Sequence, residues 1–184
     1  MTVRPILVDT SALLAFCKTN YDKQVFGNLK MTTTNICEEE IKRSNGGEYE
    51  TQEQPCNRYM KLLRENNNPH TKNAGKYKPY VDDQGEESLE WLFENNASIV
   101  KYVLLFDTDA IQSFEDLKHD LGGDALNTRI SLPNFAFEQL RQNGHLTDDE
   151  YCKATYQMAV EEGWMAYHAK EFAKISPVEC DRFP

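Results

Sequence analysis

The sequence lacks any long apolar run, since no hydrophobic stretch approaches the ~20 residues that a membrane-spanning helix requires. Its N-terminus also lacks the basic start, apolar middle and small-residue cleavage site of a signal peptide. Both absences argue against a membrane or export role. We therefore expect a cytoplasmic protein with no membrane partner.

Cysteine and histidine are few and scattered. The five cysteines form no CxxC pair and are odd in number, which argues against a disulfide framework and a zinc knuckle. We expect most of them to be buried and reduced. The four histidines show no HxxxH spacing, so the sequence gives little support to a histidine-based metal site or a Ser-His-Asp triad.

Positive charge is also scarce, with 20 Lys and Arg against 30 Asp and Glu, for a net charge of -10. A uniformly acidic surface repels nucleic acid, so any nucleic-acid role requires a local basic patch or bound metal ions. One stretch differs from the rest: between residues 58 and 80, three tyrosines are interleaved with basic residues. This stretch is either a solvated loop or a surface that contacts phosphates and stacks bases. Its basic residues are Arg58, Lys61, Arg64, Lys72, Lys76 and Lys78, and its tyrosines are Tyr59, Tyr77 and Tyr80.

Short apolar runs alternate with helical patterns along the chain. Ile6 to Val8 predicts a buried strand, followed by a helix that Thr10 or Ser11 would cap. Tyr102 to Phe106 is the strongest strand pattern, and it also leads into a helix. This alternation predicts a layered α/β fold with a parallel sheet. The length fits one domain over residues 1–184, with a polar, partly basic insert at about 44–82 that is mostly loop around one short helix.

Acidic residues follow the two clearest strands. Asp9 and Asp107 stand where each strand ends, and ligands of parallel α/β sheets bind beyond that edge. Converging carboxylates repel one another unless a cation lies between them. Oxygen-only ligands select Mg²⁺ or Mn²⁺, which orient a water molecule and hold a phosphodiester. The alternative is that each acid caps a helix.

Four segments in order resemble the motifs of PIN-domain nucleases. "ILVDTSALLAF" resembles the first motif, and "TTTNICEEEIKR" resembles the second, in which an acid precedes an aliphatic residue on a helix. "GEESLEWLFEN" resembles the Gly-Glu helix that supplies the third acid in some prokaryotic PIN-like proteins, and "VLLFDTDAI" resembles the fourth motif. The resemblance covers most of the chain except about 44–80.

The resemblance implies a three-layer α/β/α fold with a mostly parallel central sheet. It implies a Mg²⁺- or Mn²⁺-dependent endoribonuclease, related to toxins of toxin–antitoxin pairs, with RNA as substrate and with an antitoxin protein and a second copy of the chain as further partners. Glu39 is the alternative to Glu40, and Asp83 is the alternative to Glu86. The implied catalytic and metal-binding residues are Asp9, Glu40, Glu86 and Asp107, with Asp109 as a further metal ligand, and the implied substrate contacts are Thr10, Ser11, Arg58, Lys76 and Lys78.

Two other interpretations stay open at this point. A catalytically degenerate PIN-like domain would bind a protein partner and keep its acids as helix caps or surface charges. A haloacid-dehalogenase-like phosphatase has less support, because its chemistry requires a second Asp two residues after the first, where Ser11 stands. Trp91 falls on a predicted helix and is expected in the core or an interface.

Overall fold

The computed structural model describes residues 3–43, 55–79 and 81–161, together with residues 178 and 180. Its centre is a five-stranded sheet in which every pairing is parallel, in the order β3-β2-β1-β4-β5. The predicted parallel sheet is confirmed. The strands are β1 (Ile6–Val8), β2 (Met31–Thr34), β3 (His70–Lys72), β4 (Tyr102–Leu104) and β5 (Arg129–Ser131).

Helices cover both faces of the sheet, which gives the predicted three layers. One core cluster lies between the sheet and a face formed by α1, α2, α4, α7 and α8, and the other lies beneath α5 and α6. Ile6 and Val8 point into the first cluster and Leu7 into the second, as the two-residue period of a strand requires. The helices are α1 (Thr10–Cys17), α2 (Asp22–Asn28), α3 (Asn35–Arg43), α4 (Pro55–Asn66), α5 (Gln84–Glu94), α6 (Thr108–Leu121), α7 (Phe135–Gln142) and α8 (Asp148–Glu161).

Strand β2 is buried although three of its four residues are threonines. Each hydroxyl has a polar partner, so burial leaves no group unsatisfied. Thr32 Oγ1 accepts from the Arg4 amide at 2.8 Å, Thr33 donates to the Val8 carbonyl at 2.9 Å, and Thr34 contacts Ser88 Oγ at 2.7 Å. These bonds fix β2 beside β1 and hold the start of α3 at the carboxyl edge of the sheet.

The segment at about 44–82 contains more regular structure than the sequence suggests. Residues 44–54 and Tyr80 lie outside the described part of the chain. Helix α4 appears as predicted, and its Tyr59 and Leu62 are fully buried in the first core cluster. The edge strand β3 pairs with β2, which corrects the expectation of a loop there. Tyr59 is therefore a core residue and does not offer a face to a base.

Two smaller predictions are also corrected. Asp9, and not Thr10 or Ser11, is the N-cap of α1. Cys152 and Cys180 form a disulfide, which the sequence did not predict, whereas Cys17, Cys37 and Cys56 are thiols, as expected for reduced cysteines. Within the described part of the chain, no helix combines the length and apolar character needed to cross a membrane.

Candidate active site

A cavity of about 170 Å³ lies at the carboxyl edge of the sheet. Parallel strands deliver their following loops to one edge, so residues distant in sequence meet there. The lining comes from the ends of β1 and β4, from α3 and from the start of α5. Its residues are Asp9, Thr10, Ser11, Glu40, Asp83, Gly85, Glu86, Asp107 and Ala110.

Asp9 is held at the start of α1. Its Oδ1 accepts a hydrogen bond from the Ala12 amide at 2.6 Å, as an N-cap side chain does. Burial raises the pKa of the Asp9 carboxyl from 3.8 to about 7, and the nearby charges of Glu40 and Glu86 add to the rise. Hydrogen bonds from the Ala12 and Phe106 amides oppose it. Loss of hydration thus makes this carboxylate a strong candidate for interaction with a cation.

Glu40 is oriented by two donors from different elements. The Gly85 amide at the start of α5 donates to Oε1 at 2.7 Å, and the Thr10 hydroxyl donates to Oε2 at 2.5 Å. A Cβ atom built on Gly85 would clash with the carboxyl group, reaching 2.8 Å from Cδ. Glycine at position 85 therefore lets Glu40 approach the backbone of α5 closely.

The choice between the two neighbouring glutamates on α3 follows from this geometry. Glu39 forms an ion pair with Lys42 Nζ at 2.7 Å and is absent from the cavity lining. The Lys42 hydrogen bond lowers the pKa of the Glu39 carboxyl. Of the two glutamates, Glu40 therefore lines the acidic cavity, whereas Glu39 lies on the exposed side of α3 in an ion pair with Lys42.

Glu86 and Asp83 both line the cavity from the start of α5. Asp83 is exposed and adopts a left-handed conformation, with φ of 56°. Glu86 is partly buried, and its pKa is raised by loss of hydration and by the charges of Glu90, Asp83, Asp107 and Asp109. The structure thus brings both sequence alternatives to the cavity, with Glu86 the more desolvated.

Asp107 and Asp109 take different positions at the start of α6. Asp107 is the N-cap, and its Oδ1 accepts from the Asp109 amide at 2.7 Å. Asp107 lines the cavity, whereas the exposed Asp109 side chain does not. The helix-cap interpretation and the site interpretation are therefore compatible, because Asp9 and Asp107 cap helices and also line the cavity.

The carboxylates line one cavity without converging on one point. Across the described ranges, no group of three or more His, Cys, Asp or Glu side chains is gathered closely enough to hold a metal ion. Glu40 and Asp107 are each turned toward a backbone amide. Each carboxylate nevertheless keeps unused acceptor capacity, and an all-oxygen donor set suits Mg²⁺ or Mn²⁺. The chemistry of the donors therefore fits such an ion.

The substrate contacts expected from sequence are divided between three places. Thr10 and Ser11 line the acidic cavity. Lys76 and Lys78 are exposed and line a neighbouring cavity. Arg58 lies on α4, where its guanidinium is bonded to the carboxylate of the buried Asp22, with Nη2 at 2.9 Å from Oδ1. That ion pair gives Arg58 a structural role, and its expected contact with RNA stays a prediction.

Sequence reasoning did not identify two residues at this edge of the sheet. The motif predicts no separate role for Gly85, although its missing side chain makes room for Glu40. Trp91 is 47% exposed and lines the neighbouring cavity, so the expectation of a core position is wrong, while that of an interface stays a prediction. A helical-face analysis could have placed Trp91 outward, because Leu89, Leu92 and Phe93 occupy the buried face of α5.

A sequence profile described as "Halobacterial PIN domain" matches residues 1–183. Neither the curated proteins nor the solved structures give a significant match.

Proposed function

The chain belongs to the PIN-domain family, whose members are in general nucleases, and on that premise we propose that it is a metal-dependent endoribonuclease. The observation that carries this proposal is the cavity lined by Asp9, Glu40, Asp83, Glu86 and Asp107. Five carboxylates around so small a space repel one another. A divalent cation would offset that repulsion and would hold a phosphodiester that the carboxylates alone would reject.

The donor chemistry supports Mg²⁺ or Mn²⁺ as the cofactor, with Asp9, Glu40, Glu86 and Asp107 as the residues that would hold it. Such an ion supplies charge neutralisation at the phosphate and orients a water molecule for hydrolysis. The chain supplies the remaining parts: Thr10 and Gly85 fix the Glu40 carboxylate, and the starts of α1 and α6 fix Asp9 and Asp107.

RNA as the substrate rests on the family and on the lysines beside the acidic cavity. Lys76 and Lys78 are exposed next to that cavity, where they would contact phosphates. An antitoxin protein, a second copy of the chain and a cytoplasmic site of action belong to the same proposal. They rest on the resemblance to toxin relatives.

Cleavage of RNA by the wild type and by Asp9→Asn, each with Mn²⁺ or with EDTA, tests the proposal. We expect cleavage only by the wild type and only with Mn²⁺. Glu65→Gln is the matched control, because Glu65 is an exposed acid on α4, away from the cavity, and it should leave cleavage unchanged.

Calorimetry with Mn²⁺ separates the alternatives. Absence of both cleavage and Mn²⁺ binding would contradict the nuclease and favour a partner-binding module. Mn²⁺ binding that Asp9→Asn abolishes, together with absent cleavage of RNA, would contradict RNA as the substrate while retaining the metal site.

A further inference from the structure

A second cavity, of about 360 Å³, adjoins the acidic one and is larger than it. Helices α3 and α5 contribute to both cavities: α3 gives Ile36 to one and Glu40 to the other, one helical turn apart. Likewise Gln84 lines the second cavity and Gly85 the first. We call this second cavity the lysine–tryptophan groove; its lining is Ile36, Ala74, Gly75, Lys76, Lys78, Val81, Gln84, Glu87, Ser88 and Trp91.

From this geometry we infer that the lysine–tryptophan groove binds one unpaired nucleotide of a single-stranded RNA whose scissile phosphate lies in the acidic cavity. In this arrangement a base stacks on Trp91, and Lys76 and Lys78 contact the adjoining phosphates. This inference rests on the proposed nuclease function and deepens it, since it assigns a nucleotide subsite beside the acidic cavity to Trp91, Lys76 and Lys78.

Charge is the first argument for this occupant. The chain carries a net charge of -10, and the acidic cavity has five carboxylates in its lining. The groove has two lysines against one carboxylate, that of Glu87. The groove therefore provides a local region of positive charge beside the acidic cavity, where a polyanion such as RNA can bind.

The second argument is the exposure of Trp91. Trp91 lines the groove and is 47% exposed, so its indole ring is accessible to a ligand that could stack on it. Base stacking on an aromatic side chain requires an unpaired base, because the faces of paired bases are covered by their neighbours in the duplex. The exposed apolar side chain of Val81 extends the surface that such a base would contact.

The third argument is that the groove is already organised. The Gln84 side chain is buried and makes three hydrogen bonds to the segment opposite. Its Oε1 accepts from the Lys78 amide at 2.8 Å, and its Nε2 donates to the carbonyls of Lys78 at 2.6 Å and Val81 at 2.7 Å. Asn35 fixes the other end, accepting from the Ala74 amide at 2.7 Å and donating to the Gly75 carbonyl at 2.8 Å. These bonds hold the backbone of both lysines in place before any ligand arrives.

Binding of short fluorescent RNAs in EDTA, which prevents metal-dependent cleavage, tests the groove by comparison between variants, because the carboxylates of the acidic cavity repel the RNA equally in each of them. We expect the wild type to bind a single-stranded RNA of mixed sequence more tightly than the corresponding duplex. Trp91→Leu should weaken single-strand binding by roughly tenfold or more, while Trp91→Phe, which keeps an aromatic face, should retain most of it. Leu126→Ala is the control, because Leu126 is 50% exposed outside the groove.

Salt dependence tests the lysines. Replacing Lys76 and Lys78 by Ala should reduce the slope of log affinity against log salt by about 1.4, at ~0.7 for each phosphate contact on a single strand. Lys23→Ala with Lys61→Ala is the charge-matched control, because both lysines are exposed on helices of the opposite face. That pair should leave the slope unchanged.

Two results would overturn the inference. One is unchanged single-strand affinity in Trp91→Leu together with an unchanged salt slope in the double lysine variant, even if Mn²⁺-dependent cleavage persists. The other is equal or tighter binding of the duplex. If the wild type does not cleave RNA, yet its binding of single-stranded RNA depends on Trp91 and the two lysines as expected, the proposed nuclease is contradicted and the groove remains an RNA-binding site.

Discussion

Asp9 meets two opposing demands on its charge. As the N-cap of α1 it accepts the Ala12 amide, which favours the carboxylate, whereas burial and neighbouring acids raise its pKa to about 7. A residue that served only as a cap would not need acidic neighbours. Burial of Asp9 beside other acids lowers the stability of the folded protein, which indicates that this cluster of negative charge has a role other than folding.

Neutralising this residue should stabilise the protein in EDTA. The folded-state pKa of Asp9 lies above its ordinary value of 3.8, so stability falls as the pH rises from about 4 to about 7 and then levels off. At pH ~8, Asp9→Asn should raise the free energy of unfolding by ~1–3 kcal/mol, and the gain should disappear toward pH ~4. Urea unfolding across this pH range measures it, and a gain independent of pH would contradict the assignment.

Two glycines offer a matched pair of substitutions. Gly85→Ala places a Cβ against the Glu40 carboxyl, which must move and lose its bond from the residue 85 amide. We expect cleavage to fall by roughly tenfold or more, with stability nearly unchanged, because greater helix propensity offsets the lost bond. Gly27→Ala in α2 meets only Asn66 Oδ1, at 3.7 Å. It should leave cleavage unchanged and raise stability by ~0.5 kcal/mol.

Cleavage assays and thermal unfolding of the two glycine variants distinguish a site effect from a folding effect. A large loss of stability in Gly85→Ala would show that the α3–α5 contact is mainly structural. Normal cleavage by that variant would show that the position of Glu40 is not critical.

Among the elements, α2 and α4 are joined by an ion pair that engages Arg58, one of the residues expected to contact RNA. Asp22, in the first turn of α2, is 1% exposed and receives two guanidinium bonds from Arg58 of α4. A buried carboxylate loses hydration and requires such a partner. The charge of Arg58 is therefore engaged in packing two helices together.

Removing Arg58 should consequently damage the fold. Arg58→Ala leaves the Asp22 carboxylate buried without its guanidinium, and we expect a loss of ~3–5 kcal/mol in the free energy of unfolding. Lys61→Ala on the exposed side of the same helix should change it by less than ~0.5 kcal/mol. Urea unfolding compares the two variants. Undiminished stability of Arg58→Ala, combined with weaker RNA binding, would support Arg58 as an RNA contact.

The elements differ in how well sequence predicts them. Strands β1 and β4 are apolar runs that end in Asp, so both the strands and the two acids were predictable. Strand β3, His70–Lys72, carries no apolar pattern because it lies at the sheet edge and is held by its pairing with β2. Helix α2 lies in a stretch for which no helix was predicted, although its Val25 and Phe26 are buried.

At the scale of the whole molecule, the meeting of the strand-end acids at one edge of the sheet was predictable from sequence, whereas the individual side-chain pairings were not. The predicted acids at 9, 40, 86 and 107 do line one cavity, because strand ends of a parallel sheet share an edge. The role of Arg58 depends on Asp22, 36 residues away, and the role of Gly85 depends on Glu40, 45 residues away. Such pairings follow from three-dimensional packing, which no local pattern encodes.

The sheet order has a consequence for how the protein is made. Strand β1 lies between β2 and β4, and the Asp9 amide itself bonds to the Leu104 carbonyl at 3.3 Å. During translation the first half of the chain leaves the ribosome while β1 still has one unpaired edge. The acidic cavity is complete only once β4 and Asp107 have emerged. The proposed nuclease therefore emerges from the ribosome, itself made largely of RNA, before its active site is complete. It can cleave RNA only after β4 and Asp107 have been synthesised and have joined the sheet.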